Sequence, residues 1–403
     1  MTGLGQSYKV IVERTFLCLI AVGSLTRVLA QERCIRSHVQ HNRPKAVPIS
    51  LSTPDRLADM PWWPTKGTPA REEYVGTKVC ETCHRMKVAS QALTEMAKAS
   101  TRSPDPAVLD ALPALTFRQG FFTYEIERQG DAVLASVTDG DSSVARPLLF
   151  AFGKGIVGHT YIYRADGKFY ESHVSYYSAI RGLDLTTGHL QSAVPSLEQT
   201  LGRLLQPQEV QKCFGCHTTA ATTSNHFEPD QSFAGVTCEA CHQPGAKHVQ
   251  AMMAGQIERG KRLIFNPARL DPAESVDFCG ACHRTLGDVI QMDVTGVPTV
   301  RFQPFRLEES HCWIRSMGKL TCLTCHDPHK PLAQDASSYD HICIQCHSQP
   351  GDHKQQIHPI LQCKVGRREC VNCHMPKVEI PGMHHAFVDH SIRIQKDVGY
   401  FPN

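Results

Sequence analysis

Apolar and polar positions change their spacing several times along the chain. Near the start, Lys9 and Arg14 precede a short apolar run from Phe16 to Leu25, followed by Val28-Leu29-Ala30 and polar Gln31-Glu32-Arg33. That order of charge, apolar stretch and small residue predicts a secretory signal over residues 1–30, with a linker over 31–73. Met86, Ala89, Leu93, Met96 and Ala97 recur at helical spacing and stop before Ser103-Pro104, which predicts a helix in the segment 74–104. The spacing then turns strand-like. Phe117, Phe121, Tyr124 and Ile126 open this stretch, and Tyr161-Ile162-Tyr163 and Phe169-Tyr170 flank Asp166-Gly167. Asp-Gly between two such runs is a hairpin signal, so 105–205 reads as a β-rich insertion, with a small antiparallel sheet near 115–180. Beyond it, helical spacing returns at Ala246, Val249, Met253 and Ile257. Turn pairs such as Pro244-Gly245, Asn266-Pro267, Asp327-Pro328 and Pro381-Gly382 punctuate residues 206–394. This region reads as short helices and irregular loops, with a tail at 395–403.

The periodicity does not say what fills the interior of that second half; composition does. Of 403 residues, 41% are hydrophobic and 20% charged, with a net charge of +3. The balance excludes a polycation built for nucleic acid. No apolar run reaches the roughly 20 residues of a membrane-spanning helix. Cysteine and histidine are abundant instead, at 18 and 22 residues.

Fourteen of the cysteines fall into one repeated motif, Cys-x-x-Cys-His, which occurs seven times. The copies are Cys80/Cys83/His84, Cys213/Cys216/His217, Cys238/Cys241/His242, Cys279/Cys282/His283, Cys322/Cys325/His326, Cys343/Cys346/His347 and Cys370/Cys373/His374. This is the attachment signature of c-type haem. Two thiols form thioethers with the vinyl groups of one porphyrin, and the adjacent histidine reaches the iron. Random placement at this composition would give on the order of 0.04 copies. Zinc sites also use Cys-x-x-Cys pairs, but they do not require a histidine after every second cysteine. A thioredoxin-like motif would occur once.

Six motifs lie between Cys213 and His374, about 27 residues per haem. So short a stretch cannot wrap each porphyrin in a private apolar shell. The expected fold class is therefore mainly α and irregular, a multihaem cytochrome with a haem-filled core and a small antiparallel β insertion. Seven haems would also shift the net charge to roughly −4 in the oxidised state.

Fifteen histidines remain outside the motifs. His248 opens a helical pattern six residues after His242. His329 follows His326 by three, too tight a turn to cross its own haem, so it should serve a neighbour. His390 follows the last motif. These three are the first candidates for distal iron ligands, and His159, His226, His358 and His385 the second; the alternative for each is a surface or propionate-bonded histidine. Met96 is expected as core, with axial ligation as the alternative. No acid–base or nucleophile constellation marks the β-rich insertion, which reads as a spacer or a cover for the haems. Cys312 and Cys363, each a few residues before a motif, suggest a disulfide joining two haem segments.

Several phrases resemble bacterial multihaem c-type cytochromes of the cytochrome c554 kind. They are Tyr74-Val75-Gly76 before Cys80, Thr94-Glu95-Met96-Ala97, Cys238-Glu-Ala-Cys241-His242-Gln-Pro-Gly245-Ala-Lys-His248, Arg301-Phe-Gln-Pro-Phe-Arg306, Cys322-Leu-Thr-Cys325-His326-Asp-Pro-His329, Cys370-Val-Asn-Cys373-His374-Met-Pro and Phe387-Val-Asp-His390. Gln243 stands where that family has glycine. The resemblance implies His248, His329 and His390 as distal ligands. The reading that follows is an exported, periplasmic heptahaem cytochrome relaying electrons between donor and acceptor proteins, cytochromes or a quinol-linked complex. Its rival is an oxidoreductase acting on a small nitrogen or sulfur compound, of the nitrite or hydroxylamine type, at one five-coordinate haem.

Overall fold

Two kinds of packing meet in this chain, one ordinary and one not. The computed structural model describes residues 69–102, 106–112, 114–153, 157–189, 196–347, 363, 366 and 368–394. All belong to one unit of the chain, Ile49–Asn403. The expected signal, most of the linker, the tail and His358 lie outside the described residues.

The ordinary part is an antiparallel sheet. Its strands are β1 (Ser100–Arg102), β2 (Ala114–Gln119), β3 (Phe122–Gln129), β4 (Ala132–Thr138), β5 (Ser143–Phe152), β6 (Thr160–Ala165), β7 (Lys168–Ser172) and β10 (Gly202–Leu204). They pair in the order β10-β7-β6-β5-β4-β3-β2, and β1 also pairs with β5. A separate hairpin joins β8 (Val174–Tyr177) to β9 (Gly182–Leu185). Alternation drives the sheet's burial: Val133, Ala135 and Val137 of β4 point inward with Tyr124 and Ile126 of β3. The β6–β7 hairpin turns at Asp166-Gly167, both in the left-handed region at φ 50° and 73°. That pair of angles is the two-residue turn that matches strand twist, and Asp-Gly tolerates it best.

The sheet has eight strands and does more than space the motifs. A second apolar cluster joins Phe150, Phe152 and Ile162 of the sheet to Leu205, Val210 and Phe214. Phe214 lies inside the second motif, on the helix Pro207–His217. Its ring meets Phe150 and Phe152 edge-on at 4.8 and 5.0 Å. The sheet therefore anchors that motif directly.

After Gly202 the chain builds short helices. Motif helices at Cys238–His242, Cys322–Cys325 and Cys370–His374 are about one turn long. The longer Pro272–His283 starts at a capping box, Asp271 with Glu274, and Pro272 fills the first helical position. The helix carrying the first motif, Thr77–Gln91, stops before Leu93. The expected apolar stripe is not a core face there: Met86 is 82% exposed and Leu93 57%, while Val88 and Gln91 are buried.

Candidate haem site

A single cavity of about 4460 Å³ runs from the helix Thr77–Gln91 through the segments beyond Cys216, and every one of the seven motifs lines it with cysteine and histidine. An ordinary small-molecule pocket holds roughly 300–1,000 Å³. The cavity is large enough for several ligands of that size.

The motifs touch one another along it. The Cys80 thiol contacts Cys238, Cys216 contacts Cys282, and Cys279 contacts Cys322. Cys325 neighbours Cys343, and Cys343 contacts Cys370. The fourth motif is thus a junction, with the second and fifth on either side and Cys241 of the third close to Cys279. Burial raises the thiols of Cys213, Cys241 and Cys370 to about 12 and that of Cys325 to about 11. Among the described residues, no three Cys, His, Asp or Glu side chains gather as a metal cage.

The histidines are arranged differently, in facing pairs. His84 and His248 have ring centres 6.4 Å apart, His242 and His329 6.0 Å, and His326 and His390 6.3 Å. Two imidazoles bound to opposite sides of one metal ion, each by a bond of about 2.0 Å, place their ring centres roughly 6 Å apart. The residues therefore fit an iron held between two imidazoles. In each pair one histidine belongs to a motif and the other comes from elsewhere in the chain.

Hydrogen bonds orient these rings. The Nδ1–H groups of His217, His242, His248, His374 and His390 donate to the carbonyls of Ala99, Phe265, Gly260, Arg393 and Val388 at 2.8–3.0 Å. His329 donates from Nδ1 to Asp327 at 3.3 Å. A proton fixed on Nδ1 leaves Nε2 as the ligating atom, and the acceptor raises its basicity. Burial lowers the pKa of His217, His242, His283 and His326 and takes that of His390 down to about 4. Neutral imidazole is the form that binds metal.

The other candidates are placed less uniformly. His385 lines the cavity, its ring edge-on to Phe387 at 4.9 Å. His159 is buried between Tyr161 and Tyr176 on the sheet, and His226 is exposed on a two-residue strand; neither lines the cavity. His311 and His341 do line it. Nothing in their local spacing sets them apart, because one begins a helix capped by Ser310 and the other sits two residues before Cys343. Met96 lines the cavity too. Cys312 is an unbridged thiol, raised to about 11 by burial beside Cys343, Cys346 and Cys325. Cys312 and Cys363 both line the cavity, and the structure draws no bridge between them; Cys312 sits among motif cysteines.

Residues 185–243, which hold the second and third motifs, match the family model described as cytochrome c554 and c-prime. With the repeated motif, that match makes the chain a multihaem c-type cytochrome, a class that binds haem covalently. The chain is also similar to the multiheme cytochrome MtrA of Shewanella baltica (strain OS185), 24% identical over 182 residues. That stretch covers 42% of this chain and 46% of the relative, so the chain spans about half the length of the protein it matches. No solved structure matches.

Proposed function

We propose that this chain is an exported heptahaem cytochrome that relays electrons between redox partner proteins, with six of its haems serving as the core of residues 206–394. One observation carries the reading: all seven motifs line one continuous cavity, and neighbouring motifs touch through their cysteines. Haem bound there would supply a one-electron centre at each motif. The chain's own residues would supply fourteen thioether sulfurs, seven proximal imidazoles and, for three motifs, a facing histidine from elsewhere in the chain. His84 with His248, His242 with His329 and His326 with His390 would each hold one iron, a reading their ring spacing supports. His217, His283, His347 and His374 would draw partners from the remaining histidines, of which His311, His341 and His385 line the cavity. The apolar run before Val28-Leu29-Ala30 supports export to the periplasm or beyond. Among the described residues, no helix is long and apolar enough to cross a membrane.

Intact mass and electron paramagnetic resonance of the oxidised protein test this together. Seven attached tetrapyrroles, all low-spin, are the expected result. Fewer than seven would sink the count. A high-spin ferric signal that nitrite or hydroxylamine perturbs would favour a substrate-converting oxidoreductase over a relay.

A further inference from the structure

Glu239 sits between the two cysteines of the third motif and is 2% exposed. Its partners are backbone amides from two other segments. Oε1 accepts from the amides of Val75 and Gly245 at 2.9 and 2.8 Å, and Oε2 from that of Gly76 at 2.7 Å. Gly76 is the capping residue of the helix that carries the first motif, and Gly245 that of the helix that carries His248. One carboxylate thus grips both helices that supply the facing rings of His84 and His248. It does so from a motif whose Cys238 touches Cys80. A carboxylate also suits a helix start electrostatically, because unpaired amides and the positive end of the helix dipole gather there.

The device recurs at the far end of the cavity. Asp340, buried, begins the helix Asp340–His347 that carries the sixth motif. Its Oδ2 accepts from the amide of Glu369 at 2.7 Å and its Oδ1 from that of Cys370 at 2.9 Å, at the start of the seventh motif's helix. Here too the two motifs' cysteines, Cys343 and Cys370, are in contact. In both places an acid on one motif's helix holds the first amides of its neighbour's.

We propose that Glu239 and Asp340 are positioning residues that set the separation and tilt of adjacent haems, Glu239 for the first and third motifs and Asp340 for the sixth and seventh. Glu239 holds backbone amides, and Asp340 in addition meets the thiol of Cys370, a cofactor attachment atom; the role proposed for both is in haem-to-haem coupling. This rests on the reading that the motifs carry haem.

The test compares Glu239→Gln and Asp340→Asn with the wild-type chain. An amide keeps the size of the side chain but places a donor against a donor. Haem content is counted by intact mass, and coupling is read from magnetic interaction signals and a potentiometric titration. Seven haems in each variant, with loss of a coupled signal and shifted potentials in a different subset of haems for each, is the expected result. Seven haems with signals and potentials that superimpose on wild type would overturn the proposal. Loss of haem from the variants would overturn it as well, since the carboxylates would then serve assembly. Asp340→Asn, with two amide contacts against three, keeps the test open if Glu239→Gln does not fold. Fewer than seven haems in the wild type would fault the heptahaem reading and not the positioning roles.

Discussion

The sheet and the motif-bearing half bury different chemistry. From Ser100 to Leu204 the buried side chains are apolar or neutral: Tyr124, Ile126, Val137, Tyr161, Tyr163 and Leu201, with Ser, Thr and two histidines. Beyond Leu205 the buried set includes Glu239, Asp277, Asp288, Arg306, Glu308, Asp340 and Asp389. Among the described residues, every buried Asp, Glu or Arg lies in the motif half. A buried charge is costly unless it is paired or hydrogen-bonded. Glu239 and Asp340 each accept two or more backbone amides, and Asp389 takes a two-pronged ion pair from Arg306 at 2.9 and 3.0 Å. The sheet is held by apolar area. The motif half, with short helices and a cavity through its middle, is tied by charge-assisted hydrogen bonds between segments far apart in sequence.

Removing the fourth motif's anchors should have the largest effect. Cys279→Ala with Cys282→Ala is expected to lower the intact mass by one tetrapyrrole. Hydrogen-exchange protection should collapse across Cys238–Arg393 while β3–β5 keep theirs. Equal loss in both regions would show that the sheet has no core of its own.

Next in size is Phe214→Ala. It removes the ring that seats the second motif on the sheet and should cost about 3–5 kcal/mol in denaturant melts. A cost near zero would mean that the sheet does not hold that motif.

Arg306→Ala tests the ionic side at a similar scale. Burial alone would raise the carboxyl of Asp389; the bonds from Arg306, from the Ser391 amide and from Arg393 hold it below its usual value. Leaving that carboxylate buried without Arg306 should cost about 3–5 kcal/mol. The adjacent His390 should shift as well, seen as a change in the low-spin signal of the fifth motif's haem. Replacing Arg306 and Asp389 together by Met and Leu should recover part of the stability, less the loss of the carboxylate that Arg393 pairs with.

The smallest effect is a pH dependence on the sheet side. Burial, and then the neighbouring His189, lower the imidazole of His173 from 6.5 to about 4. Between those values the unfolded chain binds a proton that the folded chain does not. Its contribution therefore falls as pH drops from about 6.5 towards 4 and is level above that window. His173→Gln should flatten that part of a stability-versus-pH curve measured by urea melts. An unchanged slope would remove His173 as its source.

Local chemistry was the legible part. The repeated motif names its cofactor because two thiols and an imidazole within five residues are enough to engage one macrocycle edge. Asp166-Gly167 names its hairpin because few residue pairs accept its backbone angles. His248, His329 and His390 stood out by their placement near motifs. By contrast, Phe214 looks like any spacer residue inside a motif, and Glu239 like any variable one. Their roles come from what arrives opposite them, Phe150 and Phe152 in one case and Gly76 and Gly245 in the other. The same holds for Cys312, which spacing suggested as a bridge and packing left among motif thiols.

The order of residues alone carries the class of cofactor, the position of each motif's thiols and imidazole, and where the β6–β7 hairpin turns, because those depend on groups a few bonds apart. Tertiary structure alone decided which motifs are neighbours, which histidines face each other and which acids join them. Those are contacts across as many as 164 residues, as between Val75 and Glu239, and no local spacing encodes which distant segments will meet.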